Sequence, residues 1–102
     1  MSYKLLEKSI KVECEMYKNE PGNDFELEYY LLENDVKDSE IKANKVYGVE
    51  IVKKLNDGST EIERFENIYT SSEEARELIG KLAANTVTPL SLPYILEDLI
   101  GV

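Results

Sequence analysis

Apolar and polar side chains alternate over two early stretches of the chain, residues 8–17 and 25–32. This period of two is typical of strands that bury one face, so each stretch predicts a β-strand. Between them, Pro-Gly-Asn-Asp at 21–24 combines a residue that fixes φ with one that accepts a positive φ, as a tight turn requires. The two strands are therefore predicted to form an antiparallel hairpin.

A second hairpin is predicted from residues 45–54 and 60–66. The first of these stretches is rich in β-branched and aromatic residues, and the Asn-Asp-Gly at 56–58 is a strong hairpin signal. Ile62 and Phe65 cannot share one face of a regular strand. The fourth strand is therefore expected to contain a bulge or to end early.

The apolar spacing changes to a helical period after the fourth strand. Ser71 with Glu74 three residues later fits a capping box, and apolar side chains recur at helical spacing over 72–85. Pro89 prevents continuation of this helix because it disfavours helical angles at the preceding residue. A second amphipathic stripe follows over 92–100. The pattern predicts two consecutive helices.

Four strands followed by two helices predict one α+β domain over residues 1–102. Its four-stranded antiparallel sheet would carry the two C-terminal amphipathic helices on one face and expose the other face to water. Residues 33–44, which join the two hairpins, are mostly polar and are interpreted as a surface loop. A chain of 102 residues is long enough to bury a core without disulfides or a structural metal.

Acidic residues exceed basic ones and are unevenly spread. The formal net charge of −9 disfavours binding to nucleic acid and to anionic membrane surfaces. Residues 20–40 hold eight carboxylates against the single Lys37, so this segment is expected to dominate the electrostatic steering of a partner. The carboxylates are Glu20, Asp24, Glu26, Glu28, Glu33, Asp35, Asp38 and Glu40.

The residue types that most often carry catalysis and metal binding are scarce. Histidine is absent, and Cys14, the only cysteine, alternates with apolar residues that predict a buried face. We therefore predict no catalytic residues, no metal site, no cofactor and a protein that is not an enzyme. No apolar run approaches the length of a membrane span, and the N-terminus has no apolar leader, so a cytoplasmic protein is expected.

Three segments carry a resemblance to a known family: Tyr29–Glu33, Tyr47–Ile51 and Asn85–Leu90. Together they resemble a small family of short acidic proteins from spore-forming Gram-positive bacteria, over about residue 25 to the end. That family has no assigned activity, so the resemblance implies a bacterial cytoplasmic protein and brings no functional residues with it.

The outward face of the first predicted hairpin is the candidate binding surface. It interleaves carboxylates with tyrosines, and tyrosine is enriched at protein interfaces. Because like charges directly opposite each other repel, the register that sets Glu15 opposite Tyr30 and Tyr17 opposite Glu28 is predicted. The candidate residues are Glu13, Glu15, Tyr17, Glu26, Glu28 and Tyr30.

These patterns favour a non-enzymatic protein-interaction or regulatory module whose acidic face, or acidic 33–44 loop, binds a basic protein partner. The alternative is a small-molecule binder, or an enzyme without recognisable motifs, that uses a cleft between sheet and helices with hydroxyls from Tyr47, Tyr69 or Tyr94. An acidic mimic of nucleic acid, and an exposed strand face without a binding role, also stay open. The apolar C-terminal stretch 90–102 leaves monomer and homodimer equally open.

Overall fold

The computed structural model of the protein describes residues 2–12, 24–35 and 45–100. The four strands form one antiparallel sheet in the order β1-β2-β3-β4, and both helices contribute to a core on one face of it. The predicted α+β architecture is confirmed. In chain order the elements are β1 (Ser2–Val12), β2 (Phe25–Asp35), β3 (Lys45–Leu55), β4 (Thr60–Tyr69), α1 (Ser72–Ala84) and α2 (Leu92–Ile100).

The core lies between the helices and the two central strands. Leu27 and Ile51 on the sheet and Leu96 on α2 are almost completely buried there. Tyr29 is also buried, and its hydroxyl donates a hydrogen bond of 2.8 Å to the carbonyl oxygen of Val87, in the α1–α2 connection. This bond satisfies two polar groups that have lost contact with water, and it ties the connection to the middle of the sheet.

Both ends of α1 are defined by local hydrogen bonds. The Ser71 hydroxyl accepts a bond from the backbone N–H of Glu74, which is the cap that the sequence predicts. At the other end Thr86 has a φ of 51°, and the N–H groups of Thr86 and Val87 bond back to the carbonyls of Ala83 and Leu82. This pair of bonds is a Schellman motif, which ends the helix and turns the chain toward α2.

The bounds of β1 differ from the prediction of 8–17. The strand begins at Ser2 and is described to Val12, and residues 13–17 lie outside the described residues. A bulge shifts the register between Leu6 and Lys8. As a result Leu5 and Ile10, an odd number of residues apart, both face the helix side of the sheet.

Two other strands are longer than predicted. β2 continues to Asp35, so the expectation of a loop is wrong for residues 33–35, and residues 36–44 lie outside the described part of the chain. β4 continues to Tyr69, so the expected early end is wrong. The alternative expectation of a bulge in β4 is confirmed, because its register shifts opposite Gly48 and Asn67 adopts a φ of 58°.

Candidate functional site

The face of the sheet away from the helices, here called the open face, carries a series of paired polar side chains. Glu28 of β2 lies 3.3 Å from the Nζ of Lys54 on β3. It also accepts a hydrogen bond of 2.9 Å from the Tyr30 hydroxyl. The Nζ of Lys4 on β1 lies 4.2 Å from the centre of the Tyr30 ring, in a cation–π contact. These contacts join three strands.

Glu50 occupies the centre of the open face and is 1% exposed, although neither α1 nor α2 covers this side. Arg64 of β4 donates from Nε and Nη2 to its Oε1 at 2.9 and 2.6 Å, and Lys4 of β1 forms an ion pair with Oε2. In the described part of the chain Oε2 has no other polar partner. Glu50 therefore links both edge strands of the sheet to β3.

The charge state of Glu50 follows from two opposing effects. Burial by itself would raise the pKa of this carboxyl, because a low dielectric disfavours the ionised form. The hydrogen bonds and charges of Lys4 and Arg64 outweigh burial and lower the pKa below its ordinary value. Glu50 is thus ionised at neutral pH and forms the centre of a buried ion-pair cluster.

Three of the six predicted site residues are described. Glu26, Glu28 and Tyr30 all lie on the open face, as the alternation predicts. Glu13, Glu15 and Tyr17 lie outside the described residues.

The predicted strand register is wrong. Tyr30 lies opposite Leu6 rather than Glu15, and Glu28 lies opposite Ser9 rather than Tyr17. The observed register also avoids like-charge repulsion, because Glu26 has Lys11 opposite it on β1 and Lys54 opposite it on β3.

Basic and acidic side chains are balanced on the described part of the open face. Two of its carboxylates, Glu28 and Glu50, are largely buried within their ion pairs. The described part of the open face thus carries no excess of negative charge, and the part of the predicted surface with Glu13, Glu15 and Tyr17 lies outside the described residues. The carboxylates are Glu26, Glu28, Glu50 and Glu66, and the basic residues are Lys4, Lys11, Lys54 and Arg64.

A second surface, here called the interhelical groove, lies between α1, α2 and the end of β4. It consists of two adjoining cavities of about 370 and 290 Å³, which share Lys81 and Leu99. The first is lined by Tyr69, Glu74, Glu77, Leu78, Lys81 and Leu99. The second is lined by Lys81, Leu82, Asn85, Val87, Ile95, Asp98 and Leu99.

Helical spacing brings these side chains together. Leu78 and Leu82 are four residues apart on α1, and Ile95 and Leu99 are four apart on α2, so each helix contributes an apolar ridge. Leu78 and Leu82 form a buried floor, whereas Leu99 is 50% exposed at the rim. The groove therefore has an apolar floor, and its lining is more polar at the β4 end than beside Val87 and Ile95.

The rim of the groove is acidic. Burial raises the pKa of the Tyr69 hydroxyl, and the nearby carboxylates of Glu74 and Glu77 raise it further, so this group remains a hydrogen-bond donor at neutral pH. None of the ion pairs formed among the described residues involves Glu74, Glu77 or Asp98. Among the described residues, no basic side chain neutralises these carboxylates.

Of the three tyrosines predicted for a cleft, one lies in it. Tyr69 lines the groove, whereas Tyr47 packs against the core and Tyr94 is 70% exposed on α2. Within the ranges that the structure describes, no group of three or more potential ligand residues could hold a metal ion. No described helix has the length and apolar character needed to cross a membrane.

The architecture is thus a four-stranded antiparallel sheet followed by two helices, with an open polar face and a groove in the helix layer. Residues 7–102 match a family of unknown function (DUF6514), and the chain belongs to this family. This confirms the expected membership of a family without assigned activity. No curated protein and no solved structure matches the chain.

Proposed function

We propose that this chain is a non-enzymatic protein-interaction module that binds a basic protein partner through its helix layer. The observation that carries the proposal is the contrast between the two surfaces. Helices α1 and α2 contain five carboxylates and two basic residues, and one of those basic residues, Arg76, pairs with Glu7 on β1. The described open face has no such excess of negative charge.

The composition of the groove also supports a binding site on the helix layer. An apolar floor with polar groups at its rim is the usual composition of a protein-binding site, because apolar burial supplies affinity and charge supplies steering. On the open face, by contrast, Glu28 and Tyr30 already satisfy each other and Lys54. A partner that bound there would have to replace those contacts.

Two double variants, each of which removes two negative charges, test which surface binds the partner. Glu74→Gln with Glu77→Gln changes the helix layer, and Glu26→Gln with Glu28→Gln changes the open face. Tagged wild type and both variants are used in parallel to purify bound proteins from the native host at low and high salt, after each variant is shown to fold.

We expect a basic protein to be retained by the wild type and by the open-face variant at low salt, and to be released as salt rises. The helix-layer variant should lose it. Equal retention by the helix-layer variant would contradict the proposal, and selective loss by the open-face variant would move the binding site to the sheet.

A second candidate function is the binding of a small molecule in the groove. The observation that favours it is the size of the two cavities, about 370 and 290 Å³, which approaches that of ligand pockets, together with the Tyr69 hydroxyl in their wall. A ligand screen by thermal shift tests this function. A true ligand should raise the melting temperature of the wild type and have less effect on Tyr69→Phe.

We also propose a bacterial cytoplasmic setting. The support is the resemblance of three segments to proteins of spore-forming bacteria and the presence of only one cysteine, which suits a reducing compartment. Fractionation of the native host with an antibody to the chain tests this proposal, and recovery in the membrane or secreted fraction would contradict it.

A further inference from the structure

The interhelical groove has the shape that a third helix would fill. Its apolar lining comes from two i, i+4 pairs, with Leu78 and Leu82 of α1 at the floor and Ile95 and Leu99 of α2 along the other wall. Helices pack by inserting a ridge of one into the groove formed by others. Along α1 the lining extends from Glu74 to Asn85, which corresponds to about 17 Å, or three turns of a helix.

Charge complementarity determines what kind of helix fits. Glu74 and Glu77 lie at the β4 end of the groove, and Asp98 lies at the rim of the other cavity. Lys81 is the one basic residue that lines either cavity. The three carboxylates have no ion-pair partner among the described residues, so a cationic side chain placed beside them would gain a charge-assisted contact without breaking an existing one.

We infer that the interhelical groove binds an amphipathic, basic α-helix of the partner protein. Apolar side chains of the helix contact Leu78, Leu82 and Leu99, and its Lys or Arg side chains lie beside Glu74 and Glu77. This inference rests on the proposed function, because it specifies the partner for the same surface.

The test uses a designed peptide as the probe. A labelled helical peptide of about 14 residues, with leucine at i, i+3, i+4 and i+7 and lysine elsewhere, is about 21 Å long and so spans the whole groove. A matched peptide carries glutamate in place of lysine, and another has the lysine–leucine composition in scrambled order. Binding to the full chain is measured by fluorescence anisotropy and mapped by backbone amide chemical shifts.

Two leucine variants give a matched comparison. Leu99→Ser removes an exposed apolar group from the groove, and Leu90→Ser removes one that is 79% exposed and does not line either cavity. Because both side chains are largely exposed, neither change is expected to unfold the protein, and a thermal melt checks this.

We expect the lysine–leucine peptide to bind and to shift the amides of Tyr69, Leu78 and Leu99. The glutamate and scrambled peptides should bind at least tenfold more weakly. Leu99→Ser should weaken binding by about tenfold, because a leucine contact is lost, whereas Leu90→Ser should leave the Kd unchanged.

Several outcomes would overturn the inference. One is equal binding of the lysine and glutamate peptides, and another is no effect of Leu99→Ser. Self-association of the wild type that Leu99→Ser abolishes would assign the groove to a second copy of the chain instead. If the helix-layer charge variant loses its basic partner while the peptide does not bind, the proposed function stands and the helical occupant is wrong.

Discussion

The centres of the helix side and of the open face of the sheet are both buried from solvent, but for different reasons. On the helix side, Leu27 and Ile51 are covered by apolar side chains of the helices. On the open face, Glu50 is equally buried and is held by directional bonds from Arg64 and Lys4. Apolar packing is non-directional, whereas an ion-pair cluster requires particular partners. We infer that the helix side supplies most of the stability and that the open face helps to fix the strand register.

The largest expected effect is on the open face, at Gly48. A Cβ atom there would lie 2.1 Å from the carbonyl oxygen of Phe65, because the bulged strand β4 passes close to β3 at this point. Gly48→Ala should therefore lower the free energy of unfolding by about 4 kcal/mol, since backbone rather than a side chain must move. Urea unfolding measures the change.

Gly80→Ala is the matched control for Gly48→Ala. Nothing lies within 4 Å of a Cβ atom at Gly80, which is inside α1, so this change should be neutral or stabilise by up to about 1 kcal/mol. Equal effects of the two substitutions would show that the close approach of β4 does not constrain the sheet.

Replacement of Glu50 tests whether the ion-pair cluster holds the open face. Glu50→Gln removes the negative charge that pairs with Lys4 and Arg64, so it should lower the free energy of unfolding by about 3 kcal/mol at pH 7. Glu61→Gln, at an exposed position of β4, should change it by less than about 0.5 kcal/mol. A cost at Glu50 no greater than that at Glu61 would contradict the role of the cluster.

The effect of Glu50→Gln should depend on pH. The folded protein lowers the pKa of Glu50 below its ordinary 4.5, so the unfolded state binds the proton more readily. Its contribution is therefore present above pH 4.5 and is lost as the pH falls through the lower folded pKa. We expect the difference between wild type and variant in urea unfolding to shrink at acid pH.

The smallest of these effects is expected on the helix side, at Tyr29. Tyr29→Phe keeps the apolar ring but removes the bond to the Val87 carbonyl, which should cost about 1–2 kcal/mol. Burial raises the pKa of Tyr29 to about 12 from an ordinary 10. The wild type should therefore lose stability as the pH rises from 10 to 12, and the variant should lose less, because Tyr30 and Tyr69, whose pKa values are also raised, still contribute. Tyr94→Phe, at an exposed tyrosine, is the control.

Much of the fold could be predicted because its signals are local. The Asn-Asp-Gly turn at 56–58 is present as predicted, with the Gly58 N–H bonded to the carbonyl of Leu55 and a φ of 90° at Gly58. The Ser71 cap and the helical stripe of α1 also appear at the expected positions. Each of these features depends on a few neighbouring residues.

The errors in the prediction arise where local periodicity fails. The bulge near Glu7 changes the phase of β1, so Leu5 does not fit the alternation that continues at Ile10. The register of β1 against β2 was derived from repulsion between carboxylates, but the observed pairing places Lys11 opposite Glu26. A period of two identifies a strand and does not determine its partner residues.

The candidate site was harder to predict than the fold. Glu50 had a visible signal, because it is the one charged residue in the otherwise apolar and β-branched stretch 46–52. The interhelical groove had no comparable signal, since its shape depends on how α1 and α2 lie against each other. Glu74 on α1 and Asp98 on α2 line two adjoining cavities of one groove only because the turn at Thr86 and Val87 directs the chain from α1 to α2.

The order of strands in the sheet has a consequence for how the chain folds. Every strand pairs with its neighbour in the sequence, whereas the bond between Tyr29 and Val87 joins residues 58 positions apart. Closing short loops costs less chain entropy, so we expect the β3–β4 hairpin to form before the helices dock. In stopped-flow experiments Tyr29→Phe should then speed unfolding without slowing folding, and slower folding would contradict this order. The layer that contains the groove would thus be the last part of the molecule to assemble and the first to open.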